Sequence, residues 1–359
     1  IGRALLITDA PLRALGLTQE LEKALSQAGI ACAVYDGVVP NPTVDNVEQC
    51  RALYLESGAQ AMIAFGGGSP MDCAKAAGAR IARPQKAVQA MGGLLKVLRK
   101  TPLLIAVPTT AGKGSENTLA AVITDPANHY KYPINDFALI PDAAVLDYHV
   151  TLGLPKQITA TTGMDALTHA VEAYIGRSTT KLTRAMAEEA VTLIAKYLLR
   201  AYRDGQDAEA RTQMLQAAYD AGIAFTRSYV GYVHGVAHSL GGQYGVPHGL
   251  ANAVILPYFL EEYGPSCHKA LARLARKAGI AEETSADEPA ARAFIAWVWE
   301  MNRAMEIPSC IPEIRAADIP ALAAHAAKES NPLYPVPKLM DAQELETMYY
   351  KLMPKEDTP

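Results

Sequence analysis

The stretch AMIAFGGGSPMDCAK, residues 61–75, decides the fold of the N-terminal half. Its first five residues are apolar and predict a buried strand, glycines follow, and a helix is expected from Pro70. Glycines let a diphosphate approach the backbone, and the first turn of a helix offers N–H groups that lack intrahelical partners. A tight turn without a ligand would use the same residues, but the position between strand and helix favours phosphate binding. The stretch is neither the GxGxxG dinucleotide fingerprint nor a Walker sequence.

Apolar runs and amphipathic patterns alternate on both sides of this stretch. Because the strand-like runs are almost entirely apolar, they predict a parallel sheet that helices cover on both faces. After residue 154 these runs stop, and apolar residues recur at a helical period. We therefore predict a Rossmann-like α/β domain over residues 1–153 and an all-helical domain over residues 154–359. The other predicted strands are ALLITD (4–9), ACAVYDG (31–37), LLIAVP (103–108) and AAVLD (143–147), with helices over 17–29 and 44–58.

The composition limits the class of protein. The chain has 359 residues, 50% hydrophobic and 19% charged, which suits two domains with their own cores and excludes a disordered or collagen-like protein. A net charge of −4 without Lys/Arg-rich blocks argues against nucleic acid as a partner. No apolar run reaches the roughly 18 residues of a membrane span. Five scattered cysteines and no signal-peptide pattern predict a cytoplasmic protein.

A second loop, PTTAGKGSE at residues 108–116, also leaves a predicted strand with hydroxyls and glycines together. Two such loops at the carboxyl ends of neighbouring strands define one crevice, which is where open α/β sheets bind ligands. Asp9 and Asp36 close two further strands. A carboxylate there can accept hydrogen bonds from a ribose and disfavour a 2′-phosphate, so it would favour NAD over NADP. A solvated carboxylate at a strand end explains the same spacing equally well.

Histidines cluster in the second half of the chain. In GMDALTHAVEAY, Asp165 and His169 stand four residues apart, so both project from one face of a helix. In HGVAHSLGGQYGVPHG, His234 and His238 repeat this spacing, and His248 follows a glycine-rich bend. One carboxylate and three imidazoles suit a divalent first-row metal. Spacing leaves open whether His238 or His248 completes the set. Four other histidines have no partner at a useful spacing: His129, His149, His268 and His325.

Four motifs, in this order, closely resemble the iron-containing (group III) alcohol dehydrogenases, which include lactaldehyde reductase and propanediol dehydrogenases. They are GGGSPMDCAK, PTTAGKGSE, GMDALTHAVEAY and HGVAHSLGGQYGVPHG. The resemblance spans nearly the whole chain and implies an NAD-binding first domain and a metal-binding helical second domain, the dehydroquinate synthase-like fold. It implies the metal ligands Asp165, His169, His234 and His248, and gives His238 a role in proton transfer. It also implies cofactor contacts at Asp9, Asn41, Gly67, Gly68, Ser69, Thr109, Thr110, Thr118 and Lys131.

This sequence departs from the family pattern at two positions. Lys113 replaces the small hydroxyl residue usual in TTAGTGSE, which changes the expected phosphate contacts. Ala120 stands where lactaldehyde-type members have Asn, so a hydrogen bond specific for diols is expected to be missing. Phe225 matches an aromatic residue of the substrate pocket.

The resemblance implies reversible hydride transfer between NAD(H) and short primary alcohols or diols, with the metal as Lewis acid and His238 relaying the proton. Fe(II) is the implied metal, although Zn(II) binds such nitrogen and oxygen ligands more tightly. A homodimer or larger homo-oligomer is expected.

Three alternatives to this activity stay open. A glycerol dehydrogenase-like polyol oxidoreductase is the nearest of them. A dehydroquinate-synthase-like cyclase would need basic residues for an anionic substrate, and the two histidine motifs contain no Lys or Arg. A non-enzymatic nucleotide-binding protein would predict broken ligands, whereas all four are present.

Overall fold

The computed structural model describes residues 1–125 and 130–354; His129 therefore lies outside the described residues. The chain divides into two compact units, Ile1–Thr151 and Leu152–Pro359. The first unit contains all the described strands and the second is helical, which confirms the predicted fold class. None of the described helices is both long and apolar enough to cross a membrane.

The first unit is built on a five-stranded parallel sheet with the strand order β2-β1-β3-β5-β8. A second sheet of the same unit has three strands in the order β4-β7-β6. The strands are β1 (Arg3–Ile7), β2 (Ala31–Tyr35), β3 (Ala61–Gly66), β4 (Gly93–Leu94), β5 (Leu103–Pro108), β6 (Ala120–Asp125), β7 (Tyr130–Asn135) and β8 (Ala143–Ala144). The helices are α1 (Ala10–Ala14), α2 (Gln19–Gln27), α3 (Val44–Glu56) and α4 (Gly68–Ala82).

Both faces of the parallel sheet are apolar because β1, β2, β3 and β5 each contribute to two cores. In β1, Leu5 and Ile7 pack in one core with residues of α3 and α4. Ala4 and Leu6 point the other way and pack with residues of α2. A strand that contributes to two cores needs apolar residues at successive positions, which explains the unbroken apolar runs of the sequence.

The structure differs from the sequence-based prediction at several places in this unit. Helix α4 begins at Gly68, two residues before Pro70, because Gly68 and Ser69 belong to its first turn. Helix α1 was not predicted, and Asp9 caps it. The pair β6–β7 was not predicted either; its burial alternates along β6, so it carries the weaker period-2 signal of an antiparallel pair. The predicted strand at residues 143–147 forms only two residues of β8.

In the second unit, helices connected by turns make up the described part. Helix α5 is central and packs against α6, α7 and α9, and most of its residues are buried. The helices are α5 (Lys156–Ile175), α6 (Lys181–Arg203), α7 (Ala208–Ser228), α8 (Tyr232–Tyr244), α9 (His248–Tyr263), α10 (Pro265–Lys277), α11 (Asp287–Ala304), α12 (Ile319–Ser330) and α13 (Ala342–Leu352).

Candidate metal centre and glycine-rich loop

Three helices of the second unit bring a carboxylate and three imidazoles together. Asp165 and His169 lie one turn apart on α5, His234 lies in the first turn of α8, and His248 is the first residue of α9. One potential ligand atom from each residue lies within 4.8 Å of all the others. The first three side chains are buried and that of His248 is about one-third exposed. The cluster therefore has one side that solvent or a small molecule can reach.

The lone pairs of these residues converge on one region. The amide nitrogen of Asn252, one turn after His248 on α9, lies 2.6 Å from Asp165 Oδ1. The same nitrogen lies 3.2 Å from His234 Nε2 and 3.2 Å from His248 Nε2. A single small group is therefore within reach of all three acceptors.

The residues present fit a divalent ion of the first transition row. Two atoms that each lie about 2.1 Å from one ion are at most about 4.2 Å apart, and about 3.4 Å apart in tetrahedral coordination, so the widest pair has to move closer when an ion binds. Three imidazole nitrogens and one carboxylate oxygen are the donor set that iron and zinc take in proteins. Burial lowers the pKa of His234 well below its ordinary value, and the neighbouring histidines add to this effect. The imidazole is therefore neutral, which is the form that binds metal.

The close approach of the helices depends on glycine. A Cβ on Gly249, the residue after His248, would lie 2.7 Å from the carbonyl oxygen of Thr161 on α5. Within α5, a Cβ on Gly163 would overlap the side chain of Leu198 on α6. Both positions therefore need glycine because another helix occupies the space of a side chain.

Glu172, which the sequence analysis did not identify, joins α5 to α8. It lies one turn after His169, and its Oε2 is 2.6 Å from His234 Nδ1. Its Oε1 accepts a hydrogen bond of 2.9 Å from the backbone N–H of Val233. Burial raises the pKa of Glu172 to about 7, although backbone N–H groups at the start of α8 oppose that rise. Its spacing of seven residues from Asp165 was the available signal in the sequence.

His238 lies outside the cluster of four but next to it. Its ring stacks on that of His248 at 5.3 Å between centroids. His238 Nδ1 lies 2.6 Å from Oε1 of Glu329, which also accepts a hydrogen bond from the Tyr334 hydroxyl. Burial disfavours the ionised form of Glu329, but His238 and these hydrogen bonds outweigh it and lower the pKa of this carboxyl. Glu329 therefore holds the ring of His238, and sequence spacing gave no indication of it.

Phe225 lies against the cluster, as one wall. Its ring is nearly parallel to that of His169, with 4.2 Å between centroids. The other predicted pocket residue, Ala120, belongs to the first unit, where its carbonyl oxygen accepts a hydrogen bond from Lys75.

In the first unit, the predicted phosphate-binding stretch forms the turn between β3 and α4. Gly66 has φ +149°, a backbone conformation that favours glycine. Gly67 is the N-cap residue of α4, and no side chain caps this helix. A Cβ on Gly67 would lie 3.5 Å from Thr110 Oγ1. The backbone N–H of Asn41 donates to Ser69 Oγ at 3.3 Å. The backbone N–H of Thr109 donates to the carbonyl oxygen of Gly66 at 3.0 Å. The structure therefore brings these predicted cofactor residues to one edge of the sheet.

Lysines and buried acids surround this turn. Lys113 passes over Gly68, where its side chain occupies the space of a Cβ, and its ammonium lies 2.6 Å from the buried carboxylate of Asp72. Lys75 is fully buried and donates to the carbonyl and hydroxyl of Thr118. Its burial lowers its pKa to about 7. Lys131 lies on β7, and its side chain is largely exposed. Partial desolvation of its ammonium group, together with the positive charge of Lys113, lowers its pKa.

Asp9 has a structural role besides the predicted contact with a ribose. Its Oδ1 accepts a hydrogen bond of 2.9 Å from the backbone N–H of Leu12 and so caps α1. Asp36, the other strand-end carboxylate, lies 3.5 Å from the guanidinium of Arg13 on the same helix.

Comparison with known proteins places the chain in a family. Residues 1–148 match the model of the iron-containing alcohol dehydrogenases, and residues 159–353 match the C-terminal model of the Fe-containing alcohol dehydrogenase family. The chain is 38% identical over 324 residues to lactaldehyde reductase of Escherichia coli (strain K12), covering 89% of this chain and 84% of that protein.

Solved structures agree with this match. The crystal structure of a 1,3-propanediol oxidoreductase superposes with a TM-score of 0.94 at 34% identity, covering 98% of this chain and 92% of the other. The sulfoacetaldehyde reductase of Bifidobacterium kashiwanohense in complex with NAD⁺ superposes with a TM-score of 0.88 at 27% identity, covering 99% and 92%.

The chain belongs to the iron-containing alcohol dehydrogenase family. It is thus an oxidoreductase that acts on alcohols, and the resemblance inferred from its four motifs is confirmed.

Proposed function

We propose that this protein catalyses the reversible NAD(H)-dependent oxidation of short primary alcohols or diols at a metal centre formed by Asp165, His169, His234 and His248. The observation that carries the proposal is the convergence of four potential ligand atoms within 4.8 Å. Fe(II) is the proposed native ion, with Zn(II) as an alternative occupant. When bound, the ion supplies Lewis-acid polarisation of an alcohol oxygen.

The residues around the cluster supply orientation and a route for the proton. Phe225 holds the ring of His169 by stacking and offers an apolar wall to a short carbon chain. His238 is half-exposed and lies beside His248, so a proton that leaves the substrate can pass through its ring to solvent. Glu329 lies 2.6 Å from His238 Nδ1 and so holds the ring, and Nε2 is the nitrogen to which we assign the proton exchange.

The cofactor-binding part is the turn between β3 and α4 with its neighbouring loops. The N-terminus of α4 presents backbone N–H groups that no side chain caps, which suits a diphosphate. The remaining proposed contacts are Asp9, Asn41, Gly67, Gly68, Ser69, Thr109, Thr110, Thr118 and Lys131. The capping bond of Asp9 uses Oδ1, so contact with a ribose is assigned to its other oxygen. The complex of the sulfoacetaldehyde reductase with NAD⁺ supports NAD as the cofactor.

We extend the proposal to the roles of the two domains, the location of the protein and its assembly. Residues 1–153 form the dinucleotide-binding domain, and residues 154–359 form the metal-binding and substrate domain. We propose a cytoplasmic homodimer or larger homo-oligomer that has no nucleic-acid or membrane partner. Ala120 stands in for the Asn of lactaldehyde-type members, which favours simple alcohols over 1,2-diols.

A spectrophotometric assay tests the proposed function. Protein purified without oxygen is given NAD⁺ and a panel of short alcohols, diols and glycerol, before and after chelation and after reloading with Fe(II) or Zn(II). The proposal predicts NADH formation that disappears on chelation and returns with metal. NADH from glycerol alone would favour the polyol oxidoreductase. Bound metal without NADH from any alcohol would contradict the proposal and favour the cyclase.

A further inference from the structure

The start of α8 is built around a buried carboxylate from another helix. Glu172 of α5 is about 3% exposed, and its two oxygens face the first turn of α8. The backbone N–H of Val233 donates to Oε1 at 2.9 Å, and His234 Nδ1 lies 2.6 Å from Oε2. The backbone N–H groups of Gly231 and His234 also favour the ionised form of this carboxyl and so oppose the rise of its pKa. Since α8 has no side-chain cap of its own, Glu172 takes that role from outside the helix.

Gly231 is the residue that makes room for this carboxylate. Its φ of −134° and ψ of −157° are extended and open to any residue, so conformation does not explain the glycine. A Cβ on Gly231 would instead lie 2.6 Å from Glu172 Oε1 and 3.2 Å from Cδ. Real Cβ atoms do not approach an oxygen this closely. Any side chain at residue 231 therefore has to displace the carboxylate.

The contact with Glu172 decides which nitrogen of His234 faces the cluster. In its ionised form Glu172 can only accept, so His234 Nδ1 then carries the hydrogen and Nε2 keeps its lone pair. Nε2 is the atom that lies near Asn252 and the other potential ligands. If the hydrogen moved to Nε2, a metal ion could bind this nitrogen only after displacing the hydrogen, which would weaken binding.

We infer that Glu172 is a positioning residue of the metal centre, which fixes His234 with Nε2 toward the ion, and that Gly231 is glycine so that this carboxylate can lie at the start of α8. The inference rests on the proposed function, because it presupposes a metal at the cluster. It adds two residues, neither of which contacts the ion, that control how tightly the metal is held.

Glu172→Gln separates this role from simple packing, because the side chain keeps its size. A glutamine has one acceptor oxygen, while the carboxylate receives donors on both oxygens. Its NH₂ group then faces either the N–H groups of α8 or His234 Nδ1, and in the second arrangement it drives the hydrogen of His234 to Nε2. We expect a roughly 10- to 100-fold weaker metal affinity.

The measurement is the dissociation constant of Zn(II) or Co(II), from competition with a chelator on the full chain without oxygen. Asp220→Asn is the matched control, since Asp220 is also a buried carboxylate but bonds to Gln216 of its own helix. A second readout is the ¹⁵N chemical shifts of His234 in the metal-free protein, which report the tautomer. We expect the Nδ1–H form in the native chain and a mixture or the Nε2–H form in Glu172→Gln.

If Glu172→Gln does not fold, two glycine variants of α8 and its N-cap, Gly231→Ala and Gly242→Ala, test the same inference. Gly231→Ala should weaken metal binding as Glu172→Gln does, whereas Gly242→Ala on the same helix should not, because nothing lies within 4 Å of a Cβ there. In a Glu172→Ala background, Gly231→Ala should cost little more, since the oxygen that it displaces is gone.

The possible outcomes separate the two proposals. A native chain that binds no metal contradicts the proposed function. A native chain that binds metal, with the same affinity and His234 tautomer in Glu172→Gln and the same affinity in Gly231→Ala, contradicts this inference alone.

Discussion

Two pairs of glycines, one pair in each unit, have different roles. In the first unit, Gly66 and Gly114 adopt φ +149° and +64°, so they shape loops that most residues could not form. In the second unit, Gly231 and Gly249 have ordinary backbone angles but no space for a side chain. The first kind of glycine forms a local feature, which a motif in the sequence can reveal. The second kind lets helices far apart in sequence approach, and only the packed structure shows which atoms they accommodate.

The sharpest contrast lies between two neighbouring histidines of the second unit. His248→Ala should lose the metal and with it essentially all NADH formation. His238→Ala should keep the metal and lower turnover by roughly 100-fold, because only the proton relay is lost. Metal content by mass spectrometry and initial rates on the same preparations measure both. Full metal occupancy in His248→Ala would refute the ligand assignment.

Gly249→Ala tests whether helix contact sets the metal geometry. Its Cβ would meet Thr161 O at 2.7 Å, so α9 has to move away from α5 and carry His248 and Asn252 with it. We expect a loss of about 1–3 kcal/mol in the free energy of unfolding together with weaker metal binding. Thermal unfolding with and without metal measures both effects, with Gly242→Ala as the control. An unchanged metal affinity would show that the centre tolerates this shift.

Gly66→Ala is the corresponding test in the first unit. At φ +149° alanine is strained, and its Cβ would lie 2.6 Å from Pro70 Cγ. We expect about 1–3 kcal/mol of destabilisation and weaker NADH binding, with metal affinity unchanged. Fluorescence titration with NADH measures the binding, and Gly2→Ala, where the nearest atom is 4.0 Å away, serves as the control. A loss of metal in Gly66→Ala would contradict the separation of the two roles.

Replacing Lys75 should have a smaller effect, on how the free energy of unfolding depends on pH. Its pKa of about 7 in the folded protein lies below the value of about 10.4 expected when unfolded. Between these values the unfolded chain binds the proton and the folded chain does not, so this group makes stability rise with pH. Between the two pKa values Lys75 raises the free energy of unfolding by up to about 1.4 kcal/mol per pH unit. Below pH 7 both states bind the proton, so this group adds nothing to the slope. Chemical unfolding from pH 7 to 9.5 should show a flatter dependence in Lys75→Met; equal slopes would contradict this assignment.

Lys113→Thr should produce the smallest change. Lys113 is partly exposed, so its attraction for a diphosphate is screened by solvent and salt. We expect a loss of a few-fold in NADH affinity at low ionic strength that shrinks as salt is added. The same variant should leave the binding of adenosine unchanged, because that probe carries no phosphate. A tighter complex in Lys113→Thr would indicate that the lysine obstructs the loop.

Local patterns in the sequence were sufficient for the fold class and for the elements that carry the candidate residues. The apolar runs gave β1, β3 and β5, and the spacing of Asp165 and His169 placed both on one face of α5. The β6–β7 pair was missed because its alternation is short and its partner strand contains Pro133.

The surroundings of the candidate site could not be predicted in the same way. Glu172 lies on the helix that carries two predicted ligands, yet its partner His234 is 62 residues away. Glu329 is 91 residues from His238. Such contacts follow from how helices pack, and no local spacing encodes them. Asn252 could have been suspected from its position one turn after His248, but its contact with Asp165 needed the structure.

Anomalous diffraction at the iron absorption edge tests the central claim most directly. Crystals grown without oxygen in the presence of Fe(II) locate the ion independently of any activity. We expect one strong peak per chain, within about 2.3 Å of a carboxylate oxygen of Asp165, Nε2 of His234, Nε2 of His248 and a ring nitrogen of His169. A peak bound by His238 in place of His248, or one held by other residues, would contradict it.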